Sequence, residues 1–311
     1  MQQISVSLKM LQKRPAPLQV LPGPWDACGL EVWVKREDLL HPEVSGNKWR
    51  KLIGNLRAAR AAGKDCLLTF GGAYSNHIYA TAAAAQEAGF RSIGVIRGEE
   101  HEPLNPTLQF ARDQGMQLVY MDRSTYRKKH EAAVLDQLRQ KHGDFFMIPE
   151  GGSNVHALEG VREMMEEIPQ EYDYVLCACG TGGTLAGIVS ALPEGMQAIG
   201  VSALKGGEFL YGDASRLAGM GEEGFRRKAH IWTDAHHGGY AKTSPELIAF
   251  MQELYRETGL KTDPVYTGKA LYALAQKAQQ GILPAGSKVL FIHTGGMQGL
   301  RGMEKRVGII F

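Results

Sequence analysis

Cysteine is scarce in this chain: 311 residues contain four, Cys28, Cys66, Cys177 and Cys179. Four thiols, with nothing resembling a secretory signal ahead of them, argue against a disulfide scaffold and for a reduced, cytoplasmic setting. Neither charge sign dominates, because 35 basic residues face 33 acidic ones for a net charge of +2. With no long basic block, neither nucleic acid nor a membrane surface is implied as a partner, and small molecules remain. Cys177 and Cys179 lack a Cys-x-x-Cys companion or a histidine cluster, so no metal site is expected. Two apart in an apolar run, they belong on one face of a buried strand.

What the chain does have is a repeated pattern. With 44% hydrophobic and 22% charged residues it can bury a sizeable core and divide into two lobes. From about residue 65, short apolar runs ("CLLTF", "SIGVI", "QLVYM", "FFMIP", then "YDYVLCACG", "QAIGVSAL", "KVLFIHTGG") alternate with longer helical stretches. That alternation predicts parallel sheets with helices on both faces. Ligands of such sheets sit outside the carboxyl ends of the strands. Four polar or glycine-rich clusters occupy that position and are expected to converge: "GGAYSNH" (71 to 77), "GGSN" (151 to 154), "CGTGGT" (179 to 184) and "HTGG" (293 to 296). Residues 205 to 244 are glycine-rich without clear periodicity and read as an ordered connection or a lid, with the pair His236 and His237 exposed and without a role. The first thirty residues are proline-rich and read as an extended lead-in.

"CACGTGGTLAG" is the most legible cluster. A strand ends, small residues turn, and a helix begins near Thr184, so backbone N–H groups and the helix dipole form a cradle for an anion, with the Thr181 and Thr184 hydroxyls as further donors. No Gly-Lys-Ser/Thr follows, and the Gly-x-Gly-x-x-Gly spacing is incomplete, so neither nucleotide fingerprint is met. A plain tight turn is an equal alternative for this motif alone. Ser75 or Asn76 caps the helix after "GGAY", and Ser-Asn-His offers more polar groups than one cap uses, which suits a carboxylate at the helix N-terminus.

Lys48 opens the helix "WRKLIGNLRAARAAG", whose apolar residues 49, 52, 53, 56 and 59 share one face. Partial burial and the positive end of the helix dipole would lower its pKa towards an amine able to form a Schiff base, whereas a solvated surface charge is the commoner fate of a single lysine. Arg50 and Lys51 are expected to serve solvent or neighbouring carboxylates. Tyr240 and Tyr266, taken singly, are as well explained by core packing with a wet hydroxyl.

Together the stretches "VKREDLL", "SGNKWRKL", "GGAYSNH", "IPEGGSN", "CGTGGT", "DPVYTGKA" and "FIHTGG", in this order from about residue 31 to 299, resemble the pyridoxal-phosphate enzymes that include 1-aminocyclopropane-1-carboxylate deaminase and D-cysteine desulfhydrase. The resemblance implies an α/β, two-domain fold of the tryptophan-synthase-β type (fold type II), with residues 1–50 and 153–311 as the large cofactor domain and 51–152 as the small one. It implies pyridoxal 5'-phosphate as cofactor, Lys48 as the Schiff-base lysine, and Asn47 and Asn76 beside the cofactor. Cys179, Gly180, Thr181, Gly182, Gly183 and Thr184 match the phosphate loop. Ser75, Asn76 and His77 match the substrate-carboxylate cluster, and Tyr240 and Tyr266 the active-site tyrosines. A homodimer is implied as well.

Two positions separate the branches. The deaminase pattern has an acidic residue after "DPVY" and an apolar one before the last Gly-Gly, where this chain carries Thr267 and Thr294, as in the desulfhydrase. A hydroxyl near the pyridine nitrogen makes a weaker electron sink than a carboxylate, which favours β-elimination from D-cysteine over opening of a cyclopropane ring. The cyclopropane reaction, a lyase or racemase acting on D-serine or another small amino acid, and a nucleotide-binding module that leaves Lys48 idle are the alternatives. Three departures from the pattern, Ser45, Trp49 and Tyr74, are expected to bear on substrate size and pocket shape.

Overall fold

The computed structural model describes residues 15–169, 171–298 and 300; residues 1–14 of the lead-in lie outside them. Ten strands are found among the described residues: β1 (Leu18–Val20), β2 (Glu31–Lys35), β3 (Cys66–Gly71), β4 (Arg91–Arg97), β5 (Met116–Met121), β6 (Phe146–Ile148), β7 (Tyr174–Cys179), β8 (Gln197–Ser202), β9 (Ala229–Trp232) and β10 (Lys288–Ile292). They form a six-stranded sheet in the order β1-β2-β10-β7-β8-β9 and a four-stranded sheet in the order β5-β4-β3-β6. Apart from the antiparallel pair β1 and β2, the described neighbours run parallel.

The helices are α1 (Asn47–Ala61), α2 (Asn76–Ala88), α3 (Pro106–Asp113), α4 (Arg123–Arg127), α5 (Ala132–His142), α6 (Val155–Glu166), α7 (Gly183–Ser190), α8 (Phe209–Leu217), α9 (Glu222–Lys228), α10 (Pro245–Thr258) and α11 (Thr267–Gln279). This is the α/β architecture of parallel sheets flanked by helices that the alternating pattern predicts.

The strands are buried on both faces, as parallel strands between helices must be. In β7, Val175, Cys177 and Cys179 point into one apolar cluster and Leu176 and Ala178 into the other. The two thiols are core residues on one face. Helix α1 buries the expected stripe: Trp49, Leu52, Ile53, Leu56 and Ala59 are all inaccessible to solvent. On another side it meets α6 backbone to backbone. A Cβ added at Gly54 would lie 2.0 Å from the His156 carbonyl oxygen, and one at Gly160 would lie 1.9 Å from the Arg50 carbonyl oxygen. Only glycine permits that approach.

Residues 205–244 differ from the sequence expectation. They hold α8, α9 and β9, so the stretch contributes an edge strand to the larger sheet. Helices this short span too few turns to declare a 3.6-residue period between glycine-bearing turns. His236 and His237 are half-buried rather than exposed.

Candidate active site

The four clusters follow β3, β6, β7 and β10, at the carboxyl ends of strands from both sheets, and they line one cavity of ≈ 990 Å³. Asn47, Lys48, Ser75, Asn76, His77, Cys179, Gly180, Thr181, Gly182, Gly183, Thr184, Tyr240, Tyr266 and Thr294 all contribute to its wall. Thr267 is the one expected site residue that is not part of that wall. It is fully buried behind Tyr266, and its hydroxyl donates to Asp263 Oδ2 at 2.6 Å while accepting from the Asp263 N–H at 2.8 Å.

Lys48 stands in the first turn of α1. Its helix starts at Gly46, whose φ of 66° and close approach to Thr294 suit no residue with a side chain: a Cβ there would lie 2.1 Å from the Thr294 oxygen. Lys48 is half-buried as a residue, and burial of its amine lowers the pKa to about 8 against the opposing pull of Asp263. Nζ donates to Asn47 Oδ1 at 3.0 Å, and the same amide donates from Nδ2 to Thr184 Oγ1 at 2.8 Å. One side chain therefore ties the amine to the glycine-rich turn.

That turn ends β7 and opens α7. Gly182 takes a left-handed φ of 72°, and a Cβ at Gly183 would lie 2.4 Å from Ser153 Oγ and 3.0 Å from Lys51 Nζ. Lys51 is buried, lines the cavity, and donates to Ser153 Oγ at 2.9 Å and to the Gly151 carbonyl at 3.1 Å; Ser153 in turn meets Thr181 Oγ1 at 2.7 Å. Burial and the neighbouring Lys48 hold its amine well below the ordinary lysine range. The expectation that Lys51 serves solvent or a carboxylate is thus corrected: it bonds to uncharged oxygens beside the cradle, the Gly151 carbonyl and the Ser153 hydroxyl. Arg50 does serve carboxylates, Glu37 and Glu167, on the opposite side of the helix. Helical spacing was the available signal, because positions 48 and 51 share a face and position 50 does not.

Opposite the amine lies the N-terminus of α2. Ser75 Oγ accepts from the N–H groups of His77 and Ile78 at 3.2 and 3.3 Å, which leaves its own hydrogen to donate. His77 is buried beneath. Its Nε2 meets Thr69 Oγ1 at 2.8 Å, and because Thr69 already donates to the Ile148 carbonyl, the network makes Nε2 the donor. Burial, with Lys48 and Lys51 nearby, keeps this imidazole neutral. It supports the turn from beneath, with its Nε2 committed to Thr69, while still contributing to the cavity wall beside Ser75 and Asn76.

Tyr266 and Tyr240 cross edge to face with centroids 6.2 Å apart, Tyr266 standing against Gly180 of the cradle. Burial raises both hydroxyls, Tyr266 the further, and a hydrogen bond between the two opposes the rise at Tyr240. Asp263 is the group that sequence reading missed. It is buried, accepts from the N–H groups of Val265, Tyr266 and Thr267 at 2.8 to 3.0 Å, and sits 3.0 Å from where a Cβ on Gly296 would be. An Asx turn ahead of Pro264 was its signal. Of the three departures, Tyr74 lines the cavity and is 63% exposed, whereas Trp49 packs into the core stacked on His41 at 5.4 Å and Ser45 is buried outside the wall.

The donor set fits pyridoxal phosphate: a cradle of N–H groups with a buried lysine for a phosphate, a partly neutral amine for an aldehyde, and a helix N-terminus for a carboxylate. Filling the cradle tests that fit. In a Gly183→Ala protein the added methyl has no space, so cofactor affinity is expected to fall at least about tenfold, or ~1.4 kcal/mol, with circular dichroism unchanged. Fluorescence titration of the apo form measures it, and unaltered affinity would place the phosphate elsewhere.

Comparison with known proteins agrees. The model of the pyridoxal-phosphate dependent enzymes matches residues 10–295. A protein of Thermotoga maritima named, provisionally, 1-aminocyclopropane-1-carboxylate deaminase is 33% identical over 96% of this chain and 98% of its own. The mitochondrial bifunctional D-cysteine desulfhydrase/1-aminocyclopropane-1-carboxylate deaminase of Arabidopsis thaliana is 31% identical over 94% of this chain and 80% of its own. A solved structure described as an ACC deaminase homologue superposes with a TM-score of 0.79 at 29% identity, covering 98% of this chain and 99% of its own. The chain belongs to the pyridoxal-phosphate dependent enzymes, in the group of relatives named for 1-aminocyclopropane-1-carboxylate deaminase and D-cysteine desulfhydrase.

Proposed function

We propose that the protein is a lyase that removes a β leaving group from a small amino acid, with D-cysteine as its best candidate substrate and pyruvate, hydrogen sulfide and ammonia as products. The observation that carries this reading is one cavity in which a pKa-lowered lysine amine faces a helix N-terminus with a free serine hydroxyl. Bound pyridoxal phosphate supplies an electron sink conjugated to the substrate α-carbon. The Ser75 hydroxyl, at the positive end of the α2 dipole, holds the substrate carboxylate, while the N–H groups of His77 and Ile78 fix that hydroxyl in place. Lys48 Nζ, once free, takes the α-proton, with Asn47 fixing its direction. Hydrosulfide leaves from the β-carbon, and water completes the conversion to pyruvate and ammonia. Tyr240 and Tyr266, paired edge to face in the wall of the same cavity, are assigned the leaving-group side, where either hydroxyl would carry a proton to it.

The choice of substrate rests on Thr294, which lines the cavity where the cyclopropane deaminase pattern has an apolar residue, and on the sequence position of Thr267, which carries no acid there and turns its own hydroxyl onto Asp263. Cyclopropane deamination is the second reading, favoured by the names of the relatives. Release of 2-oxo acid from D-cysteine, L-cysteine, D-serine and 1-aminocyclopropane-1-carboxylate separates the two. D-Cysteine is expected to lead in kcat/KM by at least about tenfold. A lead by the cyclopropane acid would reverse the assignment.

A further inference from the structure

We propose that Arg97 forms a second anion subsite in this cavity, which fits it to small amino acids whose side chain carries a second negative charge, a carboxylate or sulfonate. The inference rests on the site proposed above and concerns which substituent it accepts. Arg97 is the last residue of β4 and is exposed to the cavity it lines. Its guanidinium reaches back over the neighbouring strand's loop, so that a Cβ added at Gly72 would lie 3.5 Å from Nη2. Gly72 in turn accepts the Ser75 N–H at 3.0 Å, in the turn that presents the carboxylate-binding end of α2. The guanidinium also lies over the Tyr126 ring, 5.8 Å from its centroid, a shelf that restricts its swing.

The other charges of the wall have partners. Arg216 faces Asp213 at 3.4 Å, Glu150 faces Lys129 at 3.2 Å, Lys51 donates to Ser153 and Gly151, and Lys48 to Asn47. Arg97 has no carboxylate within ion-pair distance among the described residues. Its charge nevertheless reaches the Tyr240 hydroxyl across the cavity, where it opposes the effect of burial. A planar, permanently charged fork held near the substrate carboxylate site, with no carboxylate partner among the described residues, is suited to a second carboxylate or sulfonate on the same ligand.

Aspartate and asparagine, nearly equal in size, isolate the charge. With holoenzyme, dissociation constants for D- and L-aspartate and for D- and L-asparagine are read from the change in cofactor absorbance. Aspartate of one hand is expected to bind at least about tenfold tighter than asparagine of that hand, Arg97→Gln to remove that margin while moving asparagine less than about threefold, and Arg97→Lys to restore part of it. Equal binding of the two by the unaltered protein, no binding of either, or an equal loss for both in Arg97→Gln overturns the subsite. Activity on D-cysteine is scored separately: if it is absent while the aspartate margin depends on Arg97, the subsite stands and the D-cysteine assignment falls.

Discussion

Lys48→Ala is expected to abolish both the visible absorbance of covalently bound cofactor and turnover, the latter by roughly 10⁴-fold or more. The reason lies in how the amine is prepared. Burial brings its pKa to about 8, so at pH 7 about one molecule in ten carries the neutral, nucleophilic form, against roughly one in three thousand for an ordinary lysine. The sign sets a pH dependence. The charged form predominates below about 8, so attachment of cofactor to the apo protein should speed up about tenfold per pH unit up to that point and level off above it. Stopped-flow absorbance between pH 6 and 9.5 measures the profile, and borohydride reduction of the loaded protein should fix the label at Lys48. A label on Lys51 instead would overturn the assignment of the two lysines.

The largest effect on stability is expected from Arg50→Met. Arg50 is buried and pairs in bidentate fashion with both Glu37 and Glu167, at 2.7 to 2.9 Å. Lys35 adds a bond of 2.7 Å to Glu167 and lies 3.7 Å from Glu37. The network joins the start of α1 to β2 and to the end of α6, immediately beneath the catalytic turn. Removing the arginine strands a carboxylate with no solvent contact, which costs about 3–5 kcal/mol. The loss should depend on pH. Burial already raises the Glu37 pKa, and without Arg50 it rises further, so the folded variant takes up a proton more readily than the unfolded chain. The deficit is therefore smallest near pH 5 and fullest at pH 8. Urea melts at both values test this, and a loss below about 1 kcal/mol at pH 8 counts against the network.

Much of this was legible because the chain obeys local rules. Alternating apolar runs announced the sheets, and the strand-end rule found the four loops that line the cavity. The stripe of Trp49, Leu52, Ile53, Leu56 and Ala59 gave α1 its core face. What escaped depends on distant partners. Glu167, which receives Arg50 and Lys35, is more than a hundred residues away in sequence. The cradle role of Lys51 needs Ser153 and Gly151, brought in by the smaller sheet. Thr267 shows the limit of reading a motif residue by residue: its position in "DPVYTGKA" suggests a hydroxyl in the site, whereas the turn it caps turns that hydroxyl onto Asp263.

The place of β10 has a consequence for biosynthesis. It is central in the larger sheet, between β2 and β7, although the ribosome delivers it roughly a hundred residues after β7. At roughly 5–20 residues per second, several seconds pass in which β2 and β7 have emerged with their common neighbour still unmade. The smaller sheet, drawn from residues 66–148, has all its strands in that interval. The turn bearing Lys48 also waits, because the Asn47 N–H is bonded to the Thr294 carbonyl just beyond β10. The reactive amine thus reaches its final setting only after β10 and Thr294 have been made, so a nascent chain that lacks them has little opportunity to capture the cofactor's aldehyde before the cavity that controls it exists.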